Sequence, residues 1–210
     1  MNKIKTLEDN LKNFEENIKS KKELSVHENN KFNKQFSSLI TDLTYIKIIT
    51  ERIEETDTDD ISQLKLDLKS LYVFGRVFSE SILYTASLFI NSSEKIKWDK
   101  IGPFIKNSKE NVENESDEFK EFWVKCGNHI ENLCEAFKYR NFVLHEKNSN
   151  TEWTMTWPGR SNLDYVYIAN VPWKEDREKR KGVKSINANK LIEILKTEIP
   201  PILDYLKSIS

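Results

Sequence analysis

Glycine and proline are scarce, five of each in 210 residues. Hairpins and tight turns consume those residues, so an all-β or turn-dense fold is excluded in favour of long regular segments. Net charge is nearly absent too: 33 basic against 34 acidic side chains leave a formal charge of −1. Domains that hold nucleic acid by their overall field are clearly basic, so any such contact here has to be local. Cysteine is limited to Cys126 and Cys134. Eight positions apart on one helix, their Cα atoms would stand about 12 Å apart, beyond the reach of a disulfide. Long apolar runs are missing as well. The most hydrophobic stretch, 71–90, carries Arg76, Glu80 and several serines, and reads as a buried helix rather than a membrane span. The first ten residues, M-N-K-I-K-T-L-E-D-N, lack the apolar segment of a secretion signal. The expectation is a reduced, cytoplasmic protein with no membrane partner. Arginine is the last scarcity, with six (Arg52, Arg76, Arg140, Arg160, Arg177 and Arg180) beside 27 lysines.

What is present supports a folded chain. Hydrophobic residues make up 38% and aromatics 11%, too rich for disorder despite a charged fraction of 32%. The length suits one large domain with a sizeable core. Apolar residues recur at helical spacing in 4–18 (Ile4, Leu7, Leu11, Phe14, Ile18) and more strongly in 31–55 (Phe32, Phe36, Leu39, Leu43, Ile46, Ile49). The acidic stretch 56–60 offers caps for a helix over 61–90, which turns apolar on nearly all sides after Leu71 and so belongs at the centre of a bundle. Residues 91–115 read as a connection whose Trp98, Ile101, Pro103, Phe104 and Ile105 cover one end. A long helix is predicted over 116–144. The period then shifts to two around Trp153, Met155, Trp157, Tyr165 and Tyr167, flanking the turn-forming 158–162, which predicts a β-hairpin. A charge-dense loop and a last helix from Asn187, expected to break at Pro200-Pro201, complete the chain. The fold class is mainly α: a bundle of four to five helices with a small β-hairpin inserted before the C-terminal helix. It reads as a single domain over 1–210, with a helical extension at 1–30, the hairpin and charged loop at 150–185, and the closing helix at 187–210.

Chemistry concentrates at the end of the long helix, in Lys138-Tyr139-Arg140-Asn141-Phe142-Val143-Leu144-His145. On a continuous helix Arg140 falls within about 40° of Phe122, Leu133 and Leu144, at the edge of the buried stripe. An unpartnered guanidinium there would cost several kcal/mol, so it should meet a partner. Histidine can move a proton near neutral pH, and arginine offers fixed planar donors to a phosphate as charge builds in the transition state. Asparagine can orient either. The trio Arg140, Asn141 and His145 therefore suits phosphoryl transfer without a metal or other cofactor.

This segment resembles the HEPN superfamily, whose members carry an arginine, usually a polar residue after it, and a histidine after four to six further positions. Here Arg140, Asn141 and His145 match, with four residues between arginine and histidine. The resemblance implies a HEPN-like helical bundle, a homodimer with a composite site, and metal-independent endoribonuclease activity leaving a 2′,3′-cyclic phosphate. His145 would be the general acid/base, Arg140 would hold the scissile phosphate, and Asn141 would position. A toxin or antiphage role, with an antitoxin as partner, follows from the resemblance alone. Two other readings stay open: a non-catalytic helical dimerisation module, for example the partner of a nucleotidyltransferase, and a helical scaffold in which Arg140 closes a core ion pair. In one class of nucleotidyltransferase partners a tyrosine stands two positions after the histidine; here that position is Lys147.

Other features carry less. Cys126, His129 and Cys134 share a helix but lack the fourth ligand of a metal site, and buried thiols beside a helix-edge histidine describe them better. His129 could line the same groove as Arg140. Arg76 and Glu80, four apart, read as an internal ion pair, with support of Arg140 or His145 as the sharper alternative. The basic loop 174–184 and the aromatic hairpin could touch RNA, although solvated charge and core cover explain them better.

Overall fold

A computed structural model describes residues 4–21, 25–57, 60–137, 153–156, 166–169 and 186–210. Over them the chain is mainly helical. In order come α1 (Lys5–Lys21), α2 (Val26–Glu55), α3 (Ile61–Ala86), α4 (Ile101–Asn111), α5 (Asp117–Ala136) and α6 (Ala188–Ile209), with a 3-10 turn at Val112–Asn114. None of these helices is long and apolar enough to cross a membrane. The apolar periodicity becomes core packing almost residue for residue. Leu7, Leu11, Phe14 and Ile18 of α1 are buried, as are Phe32, Leu39, Leu43 and Ile46 of α2. The Phe14 ring meets Phe32 and Phe89, each at 6.1 Å between centroids, so the N-terminal helix is part of the core.

Helices α2 and α3 run antiparallel along their length. Ser81 Oγ donates to Asp42 Oδ2 at 2.7 Å, Tyr45 stacks on Phe74 at 5.0 Å, and Arg52 pairs with the buried Asp67. Asp60, in the acidic stretch, caps α3 by accepting from the Gln63 backbone N–H at 3.0 Å. Ser116 caps α5 in the same way through Phe119 and also donates to Asn91 O, tying the helix start to the preceding connection. In that connection Trp98 packs within 4.9–5.8 Å of Phe104, Phe119 and Phe122, while its Nε1 donates to Ser92 Oγ at 2.8 Å. A large indole is thus buried with its one donor satisfied.

The structure departs from the periodicity in several places: α2 begins at Val26 rather than 31, α3 ends at Ala86 rather than 90, and α4 forms within 91–115, where a connection was expected. α5 closes at Ala136 with Phe137 as its C-cap, and residues 138–144 of the helix expected over 116–144 lie outside the described residues. α6 is continuous from Ala188 to Ile209 with Pro200 and Pro201 inside it, where a break was expected. Each interior proline costs about 3 kcal/mol. Against that, Ile199, Ile202, Leu203 and Leu206 are all buried, and each returns about 1.5–3 kcal/mol. Tertiary burial offsets the local penalty. Three short segments, β1 (Trp153–Thr156), β2 (Val166–Ala169) and β3 (Ile186–Asn187), pair antiparallel in that order, Trp153 opposite Ala169 and Val166 opposite Asn187. The turn of the expected hairpin, 158–162, lies outside the described residues.

Replacing the fully buried Phe14 by alanine is expected to cost about 3–5 kcal/mol. A urea unfolding curve should show a lower midpoint at unchanged slope. A change below about 1 kcal/mol would mean that α1 is not integral to the core.

Candidate functional site

Arg140, Asn141 and His145 lie outside the described residues, as do Lys147, Arg160 and the loop 174–184. What the structure describes is the platform from which that segment departs. α5 ends four residues before Arg140, and Phe137 takes φ −110° and ψ 18°, away from helical values. The continuous helix on which the angular placement of Arg140 depended is therefore interrupted at Phe137.

The Phe137 side chain is completely buried, 5.5 Å from the Tyr72 ring of α3. It fills a notch at Gly75. A Cβ on that glycine would stand 2.5 Å from Phe137 Cε1 and 2.6 Å from Cζ, distances that real side chains do not tolerate. One residue along, Arg76 extends between helices. Its Nε donates to Glu80 Oε1 at 2.8 Å and its Nη1 faces Cys134 Sγ, in the last turn of α5, at 3.8 Å. Glu80 Oε1 in turn accepts from the Ile101 backbone N–H at 3.4 Å. The ion pair is mostly buried, with side-chain exposures of 12% and 20%.

Two helix ends explain why such a pair sits here. α5 has no basic residue in its own last turn, so its exposed carbonyls present an uncompensated negative end. Arg76 supplies positive charge from α3. α4 has no side-chain cap at Lys100, so its first N–H groups lack an acceptor from their own segment. Glu80 provides one. The internal ion pair read from the spacing is present, and it joins α3, α4 and α5 beside the point where the motif segment leaves α5.

A second polar cluster joins α5 to α6. His129 Nδ1 lies 2.7 Å from Glu198 Oε2, and Asn132 Nδ2 donates to Oε1 of the same carboxylate at 3.2 Å. Glu198 was not legible as a partner. His129 and Asn132, three apart, share a helix face, but nothing in sequence says that a residue 69 positions away completes the group. The arrangement fixes the imidazole plane through one nitrogen, as carboxylate–histidine pairs do. Cys126 is buried among apolar side chains, and burial pushes its thiol up to about 12. Cys134 is half-buried and faces Arg76 instead. Among the described residues no group of three or more histidine, cysteine, aspartate or glutamate side chains could hold a metal ion.

With its thiol at about 12, Cys126 is only about one part in ten thousand thiolate near pH 8. The folded protein is expected to leave Cys126 unlabelled by a thiol-specific disulfide reagent, and unfolding in guanidinium to release it. Peptide mapping of the labelled chain reads the outcome, and rapid labelling of folded Cys126 would refute its burial. No family model, curated protein or solved structure matches this chain.

Proposed function

We propose that this chain is a metal-independent endoribonuclease of the HEPN type, a helical bundle with a small hairpin inserted before its last helix. The observation that carries the reading is Arg140-Asn141 followed by His145, beginning four residues after the end of α5 in a mainly helical chain. In the proposed reaction His145 accepts the proton of a ribose 2′-hydroxyl. The freed oxygen attacks the adjacent phosphorus, the 5′-oxygen of the next nucleotide leaves with a proton given by the His145 imidazolium, and a 2′,3′-cyclic phosphate remains. Arg140 neutralises the charge gathering on the phosphate oxygens, and Asn141 orients phosphate or imidazole. A homodimer bringing two such segments into one cleft reconciles this chemistry with a near-neutral chain, because the positive charge is needed only in the cleft. A cytoplasmic toxin or antiphage effector held by an antitoxin is the biological setting this reading suggests.

A second reading, a non-catalytic helical module that pairs with another protein such as a nucleotidyltransferase, is favoured by one observation. Tyr45, Ile48, Leu66 and Tyr84 on α2 and α3 are large apolar side chains left exposed.

The two separate in one assay. Purified protein incubated with RNA in excess EDTA should cleave it and leave cyclic-phosphate ends. Arg140→Ala and His145→Ala should each lower the rate by about 10²-fold or more while remaining folded. Cleavage that survives both substitutions, or that requires a divalent cation, sinks the mechanism. A folded dimer with no cleavage favours the second reading.

A further inference from the structure

We propose that the outer face of the α2–α3 hairpin is a self-association surface, on which a second copy of this chain docks about a two-fold axis to complete a four-helix bundle. The inference rests on described geometry. It supplies a surface for the homodimer of the ribonuclease reading, and it stands if that reading falls.

Two stripes define the face. On α2 the exposed positions between Lys34 and Glu51 are Ser37, Ser38, Thr41, Thr44, Tyr45 and Ile48. None of them is charged, in a chain whose residues are 32% charged. On α3, Leu66 and Tyr84 are exposed and stand five full helical turns apart, so they share one angular position. Ser70, Val73 and Val77 lie half-buried within about 40° of the line joining them. The stripes meet where Tyr45 stacks on Phe74 at 5.0 Å. Hydroxyls on the face are turned back onto their own helices. Thr41 Oγ1 donates to Ser37 O at 2.9 Å, Thr44 Oγ1 to Ile40 O at 2.7 Å, and Ser70 Oγ to Leu66 O at 2.8 Å. Covering these groups leaves no hydroxyl donor stranded, so the face can be dried at little polar cost.

Charge and area select the occupant. A charged partner finds nothing to pair with, whereas an uncharged face meets its own copy with no like-charge repulsion. Arg76 and Glu80, which border the α3 stripe, already neutralise each other at 2.8 Å. From Leu66 to Tyr84 the stripe is about 27 Å long, and two helices side by side are about 20 Å wide. Each copy offers about 500 Å², and a symmetric pair buries about 1,000 Å², enough for a specific interface. An antiparallel crossing, with the axis level with position 75, sets Val73 against Val77 of the other copy and Leu66 against its Tyr84. Small side chains then occupy the crossing, and large ones the ends where crossed helices diverge.

The test is sedimentation equilibrium of the full chain at concentrations reaching about 100 μM. The wild type should fit a monomer–dimer equilibrium. Ile48→Lys and Leu66→Lys, both at exposed positions that tolerate lysine in the folded monomer, should each weaken association at least about tenfold, since symmetry brings every new charge into the interface twice. Val124→Lys, at an exposed position on α5, should leave association unchanged. Hydrogen exchange of the wild type gives a reading free of substitutions: raising the concentration should slow exchange in peptides of α2 and α3 and not in those of α5. A wild type that stays monomeric throughout overturns the proposal and leaves the face to a foreign partner. A dimer indifferent to both lysine substitutions, or one whose exchange slows elsewhere, puts the interface off this face and overturns it as well. No RNA enters the measurement, so failure here is separable from failure of the ribonuclease reading.

Discussion

The burial of Trp98 is the packing event on which the other contacts around α5 depend. Its indole sits among Phe104 of α4 and Phe119 and Phe122 of α5, and Phe122 continues the cluster to Tyr205 of α6 at 5.8 Å. A connection that carries no helix of its own until Ile101 is thereby turned into a wall of the core. Aromatic side chains of this size bury 150–250 Å² each in a typical core, so four of them outweigh any polar contact in the same region. With the first half of α5 fixed in this way, its second half is delivered to α3 and α6 at a set height. The pairings of Arg76 with Cys134 and of His129 with Glu198 are then local consequences.

The polar groups near α5 do a different job from the apolar ones. Exposed ion pairs such as Lys19–Glu15 and Lys106–Glu110 contribute a few tenths of a kcal/mol and decide nothing about shape. Arg76–Glu80 lies within α3 and His129–Glu198 joins α5 to α6, and each pair is partly buried. Charges withdrawn from water in this way add little net stability, because desolvation offsets the attraction. Their effect is to penalise alternative packings: sliding α5 by one turn would take His129 and Asn132 from Glu198 and Cys134 from Arg76. Register, rather than strength, is what they supply.

Most helices, and the starts of α3 and α5, were legible in the sequence because both signals are local. A 3.6-residue apolar period marked the core faces of α1, α2 and α5, and Asp60 and Ser116 announced where α3 and α5 begin. The end of α2 at Glu55 was legible, but the close of α5 was not, since Phe137 finds a slot on another helix and no residue near 137 advertises Gly75. Continuity of α6 through two prolines was missed for the same reason: the local penalty was visible and the distant burial was not. Of the candidate site, the chemical types Arg140, Asn141 and His145 could be read from spacing. The notch, the compensated helix ends and the His129–Glu198 pairing could not, because each is completed by a residue tens of positions away.

The paired prolines of α6 bear on the order in which the chain assembles. Without N–H groups at 200 and 201, the carbonyls of Lys196 and Thr197 lack their usual intrahelical donors, so an isolated peptide of this sequence has little reason to be helical. The helix exists because Leu195, Ile199, Ile202 and Leu206 find a surface already shaped by α1, α3 and α5. The last helix is therefore a dependent element, templated by the others. Contacts between chain-distant segments pay their loop-closure entropy before any reward, and α1 with α6 is the most widely separated such pair. Among the described contacts, that of α1 with α6 closes the longest loop, so completing this core carries the largest loop-closure entropy.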